Sequence, residues 1–195
     1  MRLLGWITFF IGALTAGDAA ASSVSSILDG IEWGENSAAL AHAFAGRAIK
    51  LTRPIEFGDS YVDVALRGEM LGGYVFTVYF QMDKATHLLK RVMYERQRHG
   101  ANPVVYRAVV AALQGDYGAP AIDCTHRALA HTAYPASGNR VWQAHGVAIH
   151  AVFNDGTLEA AEGCTFSAIG PCGLTGHLYV MIAPHPADAP LCGAR

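Results

Sequence analysis

The sequence has few charged residues and no excess of either sign. Charged residues make up 15% of the 195 positions, hydrophobic residues make up 52%, and the formal net charge is −2. Nothing therefore suggests a nucleic-acid partner, since such a partner normally requires a basic face. The composition is typical of a globular protein, and the length suits one ordinary domain or two small packed repeats.

Signature motifs of common enzyme classes are also missing. The chain contains no G-x-S-x-G elbow, no H-E-x-x-H, no phosphate-binding P-loop and no G-x-G-x-x-G. Serine is scarce after Ser37, where only Ser60, Ser137 and Ser167 follow. The paired Cys-x-x-Cys spacing of structural zinc sites does not occur. We therefore predict no catalytic residue, no cofactor and no bound metal.

Only the N-terminus carries a long apolar run. Arg2 precedes an apolar stretch over residues 3–16, and Ala19 and Ala21 form a small-x-small cleavage site. This pattern predicts a signal peptide at residues 1–21. It also predicts a periplasmic or secreted protein with no stable membrane anchor after cleavage. A retained N-terminal helix, buried or membrane-anchored, is the alternative.

Cysteine is confined to the C-terminal half, at Cys124, Cys164, Cys172 and Cys192. In an oxidising compartment, four cysteines predict two disulfides, and three pairings are possible. The pairing Cys164–Cys172 is favoured because the segment between them ends in Gly-Pro and can close as a short loop. Cys124–Cys192 would then fix the C-terminal tail to the second half.

Two short helices are marked by their ends. Asn102 can cap a helix that has Pro103 at its first position and ends at Gly118. Asn36 or the serine after it can cap an earlier helix that ends at Gly46. Both helices are short, so packing against other elements must stabilise them.

Strand-like runs with period-two alternation follow each helix. They are clearest in "SYVDVALRG", "GYVFTVYFQ", "VAIHAVF" and "GHLYVMIAP". We therefore predict an α+β fold of two tandem helix-plus-antiparallel-sheet units, at residues 22–100 and 101–195. The second unit would hold the disulfides and a Pro-rich tail. The short helices would pack on one face of the sheet, leaving the other face to solvent or a partner.

The segments "IEWGENSAALAHAFAG" and "VVAALQGDYGAP", each followed by strands, carry a family resemblance. From about Ile31 to Pro184 the organisation resembles small exported bacterial α+β proteins of the β-lactamase-inhibitor-protein and outer-membrane-assembly-lipoprotein-E type. The resemblance implies a protein that binds other proteins through its sheet face. This chain departs from the pattern in having no lipid-attachment cysteine and no cysteine in its first half.

The predicted binding surface is the sheet face turned away from the helices. That face would carry aromatic and charged side chains, the types that are enriched at binding hot spots. The candidate binding residues are Tyr61, Asp63, Arg67, Tyr79, Gln81, Arg91, Trp142, His150 and Tyr179. We predict a non-catalytic exported protein that binds an envelope or extracellular protein or peptide through this face.

Two other functions are left open by the sequence. Aromatic side chains such as Phe80 and Tyr106 could line a cavity between sheet and helix, as in a carrier or sensor of a small apolar ligand. A histidine-centred hydrolase or metal enzyme is the third hypothesis. It rests on His145, His150 and His177, which could meet across neighbouring strands.

Overall fold

The computed structural model describes residues 23–96, 102–123, 137–155 and 176–185. The signal peptide predicted at residues 1–21 and all four cysteines lie outside these residues, so cleavage and disulfide pairing stay predictions.

The described residues form three helices and eight strands, numbered here in chain order. The helices are α1 (Ser23–Leu28), α2 (Ser37–Ala43) and α3 (Pro103–Tyr117). The strands are β1 (Ala48–Glu56), β2 (Ser60–Leu71), β3 (Tyr74–Asp83), β4 (Leu89–Arg96), β5 (Ile122–Asp123), β6 (Ser137–Ala144), β7 (Val147–Asp155) and β8 (Gly176–Pro184).

A single antiparallel sheet runs through both halves of the chain, in the order β1-β2-β3-β4-β8-β7-β6-β5. Strand β8 pairs with β7 on one side and with β4 on the other, where Val92 lies opposite Ile182. The prediction of two tandem helix-plus-sheet units is therefore wrong. An unpaired β4 would expose a row of backbone donors and acceptors, and the last described strand of the chain satisfies them.

The two longer helices begin at the caps that the sequence predicts. The side-chain oxygen of Asn36 accepts hydrogen bonds from two amides of α2, both at 3.0 Å. Asn102 does the same for α3, at 2.9 and 3.0 Å, and Pro103 occupies the first helical position. Each cap satisfies amides that have no partner within the helix.

The helices and one face of the sheet form a common hydrophobic core. The ring of Phe44 stacks on that of Phe80 with centroids 5.3 Å apart, and Tyr106 of α3 stacks on Phe153 of β7 at 5.7 Å. On β2 and β3 the residues that belong to this core include Val64, Leu66, Phe76, Val78 and Phe80. Val62, which simple alternation would add to them, lies outside this cluster, because the pairing of β2 with β3 shifts between Tyr61 and Val64. Removal of such side chains from water is the main force that holds the helices on the sheet.

The turn between β2 and β3 lies directly under α3. Gly72 and Gly73 form this turn with φ values of +59° and +80°. A Cβ atom on Gly72 would lie 2.7 Å from the backbone of Ala108 in α3, whereas one on Gly73 would meet nothing within 4 Å. A helix from the second half of the chain therefore packs on a hairpin from the first half.

Candidate functional site

The sheet face opposite the helices, here called the open face, carries the candidate site. A row of directly paired residues crosses this face from one edge strand to the other. In strand order the row is Ile49, Ala65, Tyr79, Met93, Met181, His150, Val141 and Ile122. Because side chains alternate between faces along a strand, this row points away from the core residues next to it.

A groove of about 750 Å³ lies on the open face over β1–β4. Its apolar lining residues are Ile49, Leu51, Ile55, Ala65 and Val75, and its polar ones are Arg67, Thr77, Tyr79 and Glu95. Several apolar groups in it face solvent, since Val75 is 53% exposed and Ile55 is 41% exposed. Exposed apolar side chains gathered in a concave surface are typical of binding sites.

Strand β1 forms one wall of this groove, and its pairing with β2 is irregular. The pairing of β1 with β2 shifts between Lys50 and Ile55, so that several residues of β1 stand opposite a single residue of β2. Bulges of this kind bend a strand and increase its twist. Leu51 and Ile55, at either end of the irregular segment, both line the groove.

The open face carries four of the nine predicted binding residues, which are Arg67, Tyr79, Tyr179 and His150. Arg67 and Tyr79 line the groove, and Tyr179 pairs with Glu95 at its border. Burial raises the pKa of the Tyr79 hydroxyl, as does the charge of Glu95, and burial also raises the pKa of Tyr179. Both hydroxyls therefore stay protonated and can donate hydrogen bonds at neutral pH.

His150 lies farther along the same row, next to Met181. Burial lowers the pKa of this histidine, and the nearby His185 lowers it further. Its ring is therefore neutral at pH 7, because both effects disfavour the charged form.

Four other predicted residues are held in hydrogen bonds within the protein. The hydroxyl of Ser37 donates to Asp63 at 2.7 Å, which ties the start of α2 to β2. The Arg91 guanidinium donates to Gln81 at 2.8 Å and also pairs with Asp59. The remaining one of the four, Tyr61, hydrogen bonds to His87 at 3.0 Å. These contacts give the four residues a structural role, since a partner would have to compete with them.

Trp142 lies on the covered face and not on the open face where the sequence places it. Its side chain is 1% exposed, and its indole N–H donates to the carbonyl of Gly118 at 2.9 Å. The register of β6 decides this, because Trp142 pairs with Ile149, a core residue of β7. Alternation then turns the whole indole toward the helices.

The sequence-based list misses the apolar wall of the groove. Ile49, Leu51 and Ile55 come from the run "AIKLTRPIEF", which reads only as a weak strand interrupted by Pro54. Pro54 is the available signal, since proline in a strand is typical of edges and bulges. Alternation along β1 puts Ile49, Leu51 and Ile55 on one face of the strand. The sequence does not reveal that this face belongs to the open face of the sheet.

A network of charged side chains lies at one end of strands β2, β3 and β4. Lys90 lies 3.0 Å from Asp59 and 2.9 Å from Asp83, and Arg91 also pairs with Asp59. Hydrogen bonds from Lys90 and Arg91 lower the pKa of Asp59 to about 2. Hydrogen bonds from Lys90 and from the amides of Thr86 and Ala85 hold the pKa of Asp83 well below its usual value. The network is exposed and solvent-screened, so each pair contributes modestly to stability.

These lowered pKa values predict acid-sensitive stability. Between the folded pKa values of Asp59 and Asp83 and their unfolded value of 3.8, the folded protein binds fewer protons than the unfolded chain. The stabilisation is therefore complete above pH of about 5 and is lost as the pH falls toward 2. We expect the urea midpoint to fall over this window, and to fall less steeply in Asp83→Asn. Unfolding curves measured between pH 2 and 7 check this; equal slopes for both proteins would contradict it.

The place predicted for an apolar-ligand cavity, between sheet and helix, is filled by packed side chains. Phe76, Phe80 and Tyr106 are all buried members of the core. At Gly138 the fit is so close that a Cβ atom would lie 2.7 Å from the ring of Tyr106.

Histidines give no metal cluster in the part of the chain that the structure describes. Within those residues, no three His, Cys, Asp or Glu side chains are grouped so that they could hold an ion. The helices found there are also too short or too polar to cross a membrane.

The resemblance to exported inhibitor-type proteins stays a prediction, because comparison with known proteins returns no relative. No family model, no curated protein and no solved structure matches this chain.

Proposed function

We propose that this protein binds an extended polypeptide segment of another protein in the groove of the open face, without catalysis. The observation that carries the proposal is the groove itself. Its volume of about 750 Å³ falls within the range of ligand sites, about 300–1,000 Å³. Because the N-terminal pattern predicts export, the partner would be an envelope or extracellular protein.

The lining of the groove suits a peptide better than a purely apolar ligand. Apolar walls are combined with the Tyr79 hydroxyl, the Arg67 guanidinium and the Glu95 carboxylate. An alkyl chain laid over these groups would strip water from them and return no hydrogen bond, which is costly. A peptide offers apolar side chains together with backbone donors and acceptors, so it can satisfy both parts of the lining.

The charge of Arg67 predicts one further feature of the bound segment. Arg67 is exposed and forms no salt bridge with a described residue, whereas Arg47, Arg91 and Arg140 each pair with a carboxylate. An acidic side chain or a C-terminal carboxylate in the partner would pair with Arg67.

The width of the groove sets the length of the bound segment. Four neighbouring strands span about 14 Å between the axes of the first and the last, so about four residues of an extended peptide cross the groove.

Peptide display tests this proposal. A random peptide library is selected on the wild-type protein, and the affinity of the enriched peptides is then measured for Val75→Arg and Val104→Arg. The two valines match in exposure, at 53% and 56%, but Val75 lines the groove and Val104 lies on α3. We expect Val75→Arg to weaken binding about 10-fold or more, since burying an unpaired charge is costly.

Val104→Arg is expected to bind within about twofold of wild type, because surface changes away from a contact have small effects. Arg67→Ala should remove a preference for acidic residues in the enriched peptides. Peptides that bind the Val75→Arg and Val104→Arg proteins equally well, or a library that yields no enrichment, would refute the groove as the binding site.

A further inference from the structure

A second cavity, here called the helix-end cavity, lies on the covered side of the sheet. Its volume is about 230 Å³, and its walls include Ser25, Asp29, Trp33, Tyr117 and His145. At about 30 Å³ per molecule of liquid water, it has room for about eight waters or a small organic molecule. It shares no lining residue with the groove of the open face.

Two helices end at this cavity. Helix α1 ends at Leu28 and the longer α3 ends at Tyr117, and both residues line the cavity. The last carbonyls of a helix lack partners within it and give that end a partial negative charge. Neither helix has a basic residue in its last turn to offset this charge. The longer helix α3 contributes most of the effect, since α1 has fewer than two turns.

Carboxylates add to the negative potential. Asp29 lines the cavity immediately after α1, and Asp116 lies in the last turn of α3. Burial raises the pKa of Tyr117, and the charges of Asp116 and Asp29 raise it further. The hydroxyl of Tyr117 lies 3.2 Å from the hydroxyl of Ser25, and both residues line the cavity. Among the described lining residues there is no lysine or arginine.

The remaining lining residues are the imidazole side chain of His145 and the aromatic and apolar side chains of Trp33, Leu28 and Val147. Trp33 is partly buried against the core and offers an indole, the side chain that attracts cations best through its ring face. Leu28 and Val147 complete an apolar surface. Such a surface disfavours strongly hydrated inorganic ions, but it accommodates the methyl or methylene groups of an alkylammonium ion.

We propose that the helix-end cavity binds a small organic ammonium ion. The cationic head would be stabilised by Asp29, by the end of α3 and by the indole of Trp33, and its alkyl groups would contact Leu28 and Val147. This site is independent of the groove and goes beyond the proposed peptide binding.

Calorimetric titration of the full chain with choline tests the proposal. The neutral isostere 3,3-dimethylbutan-1-ol has the same shape without the charge, and we expect it to bind at least 10-fold more weakly. Asp29→Asn removes one charge at an exposed position and should weaken choline about fivefold. Glu32→Gln removes a charge three residues away, outside the lining, and should change the affinity less than twofold.

Trp33→Leu should weaken choline about 5- to 30-fold, the range expected for loss of a partly desolvated cation–π contact. Arg67→Ala in the groove should leave choline binding unchanged, which separates this test from that of peptide binding. Equal affinity for choline and its neutral isostere would overturn the proposal. So would the absence of choline binding at 10 mM, or displacement of choline by an equal concentration of sodium or potassium.

Discussion

Replacement of Gly72 by alanine is expected to destabilise the protein by about 2–5 kcal/mol, the sum of the costs of a left-handed backbone and of overpacking. Gly72 has φ of +59°, and its new Cβ atom would lie 2.7 Å from the backbone of Ala108. Backbone atoms of a helix cannot move aside as a flexible side chain can. Helix α3 would therefore have to shift away from the β2–β3 turn and give up part of its contact with the sheet.

Gly73→Ala is the matched control for this prediction. Gly73 has φ of +80° but open space around the position of its Cβ atom. Only the backbone cost of about 1–2 kcal/mol applies there. Urea unfolding of both variants, followed by tryptophan fluorescence, gives the comparison. Equal losses in the two variants would mean that α3 does not pack on this turn.

Replacement of Phe80 by alanine is expected to cost about 3–5 kcal/mol, the usual loss when a buried aromatic side chain is truncated. Phe80 is fully buried and stacks on Phe44. Its neighbour Tyr79 points to the open face. Tyr79→Ala should therefore cost only about 1 kcal/mol, since no cavity is created in the core.

Comparison of Phe80→Ala with Tyr79→Ala tests which face of β3 the helices cover. Equilibrium unfolding in urea gives both free energies, and the expected ranking is a much larger loss for Phe80→Ala. A larger loss for Tyr79→Ala would reverse the assignment of the two faces. It would also remove the basis for the groove, because Tyr79 would then belong to the core.

Local signals in the sequence determine much of this fold. Asn36 and Asn102 mark the starts of α2 and α3 because an asparagine side chain satisfies amides only a few residues away. Alternation in β3 and in the second half of β2 identifies core side chains, since successive residues of a regular strand point to opposite faces. It fails at the start of β2, where the pairing with β3 is irregular and Tyr61 packs against the core. The same alternation places Arg67 and Tyr79 on the open face.

Other features depend on contacts between distant parts of the chain. Pairing of β4 with β8 joins the two halves into one sheet, and neither strand carries a local mark of its partner. The side of the sheet to which Trp142 turns follows from the register of β6 against β7. The side of the sheet to which the apolar residues of β1 turn follows from the pairing of Ile49 with Ala65, which the run around Pro54 does not reveal.

The amino-acid sequence by itself therefore determined where helices begin and which strand residues are apolar, because these properties depend on neighbours within a few positions. Only the tertiary structure decided that the eight strands of the described residues form one sheet, that β1 borders a groove, and that α1 and α3 end at one cavity. Such features arise when segments far apart in the chain meet and satisfy one another's backbone groups and apolar surfaces.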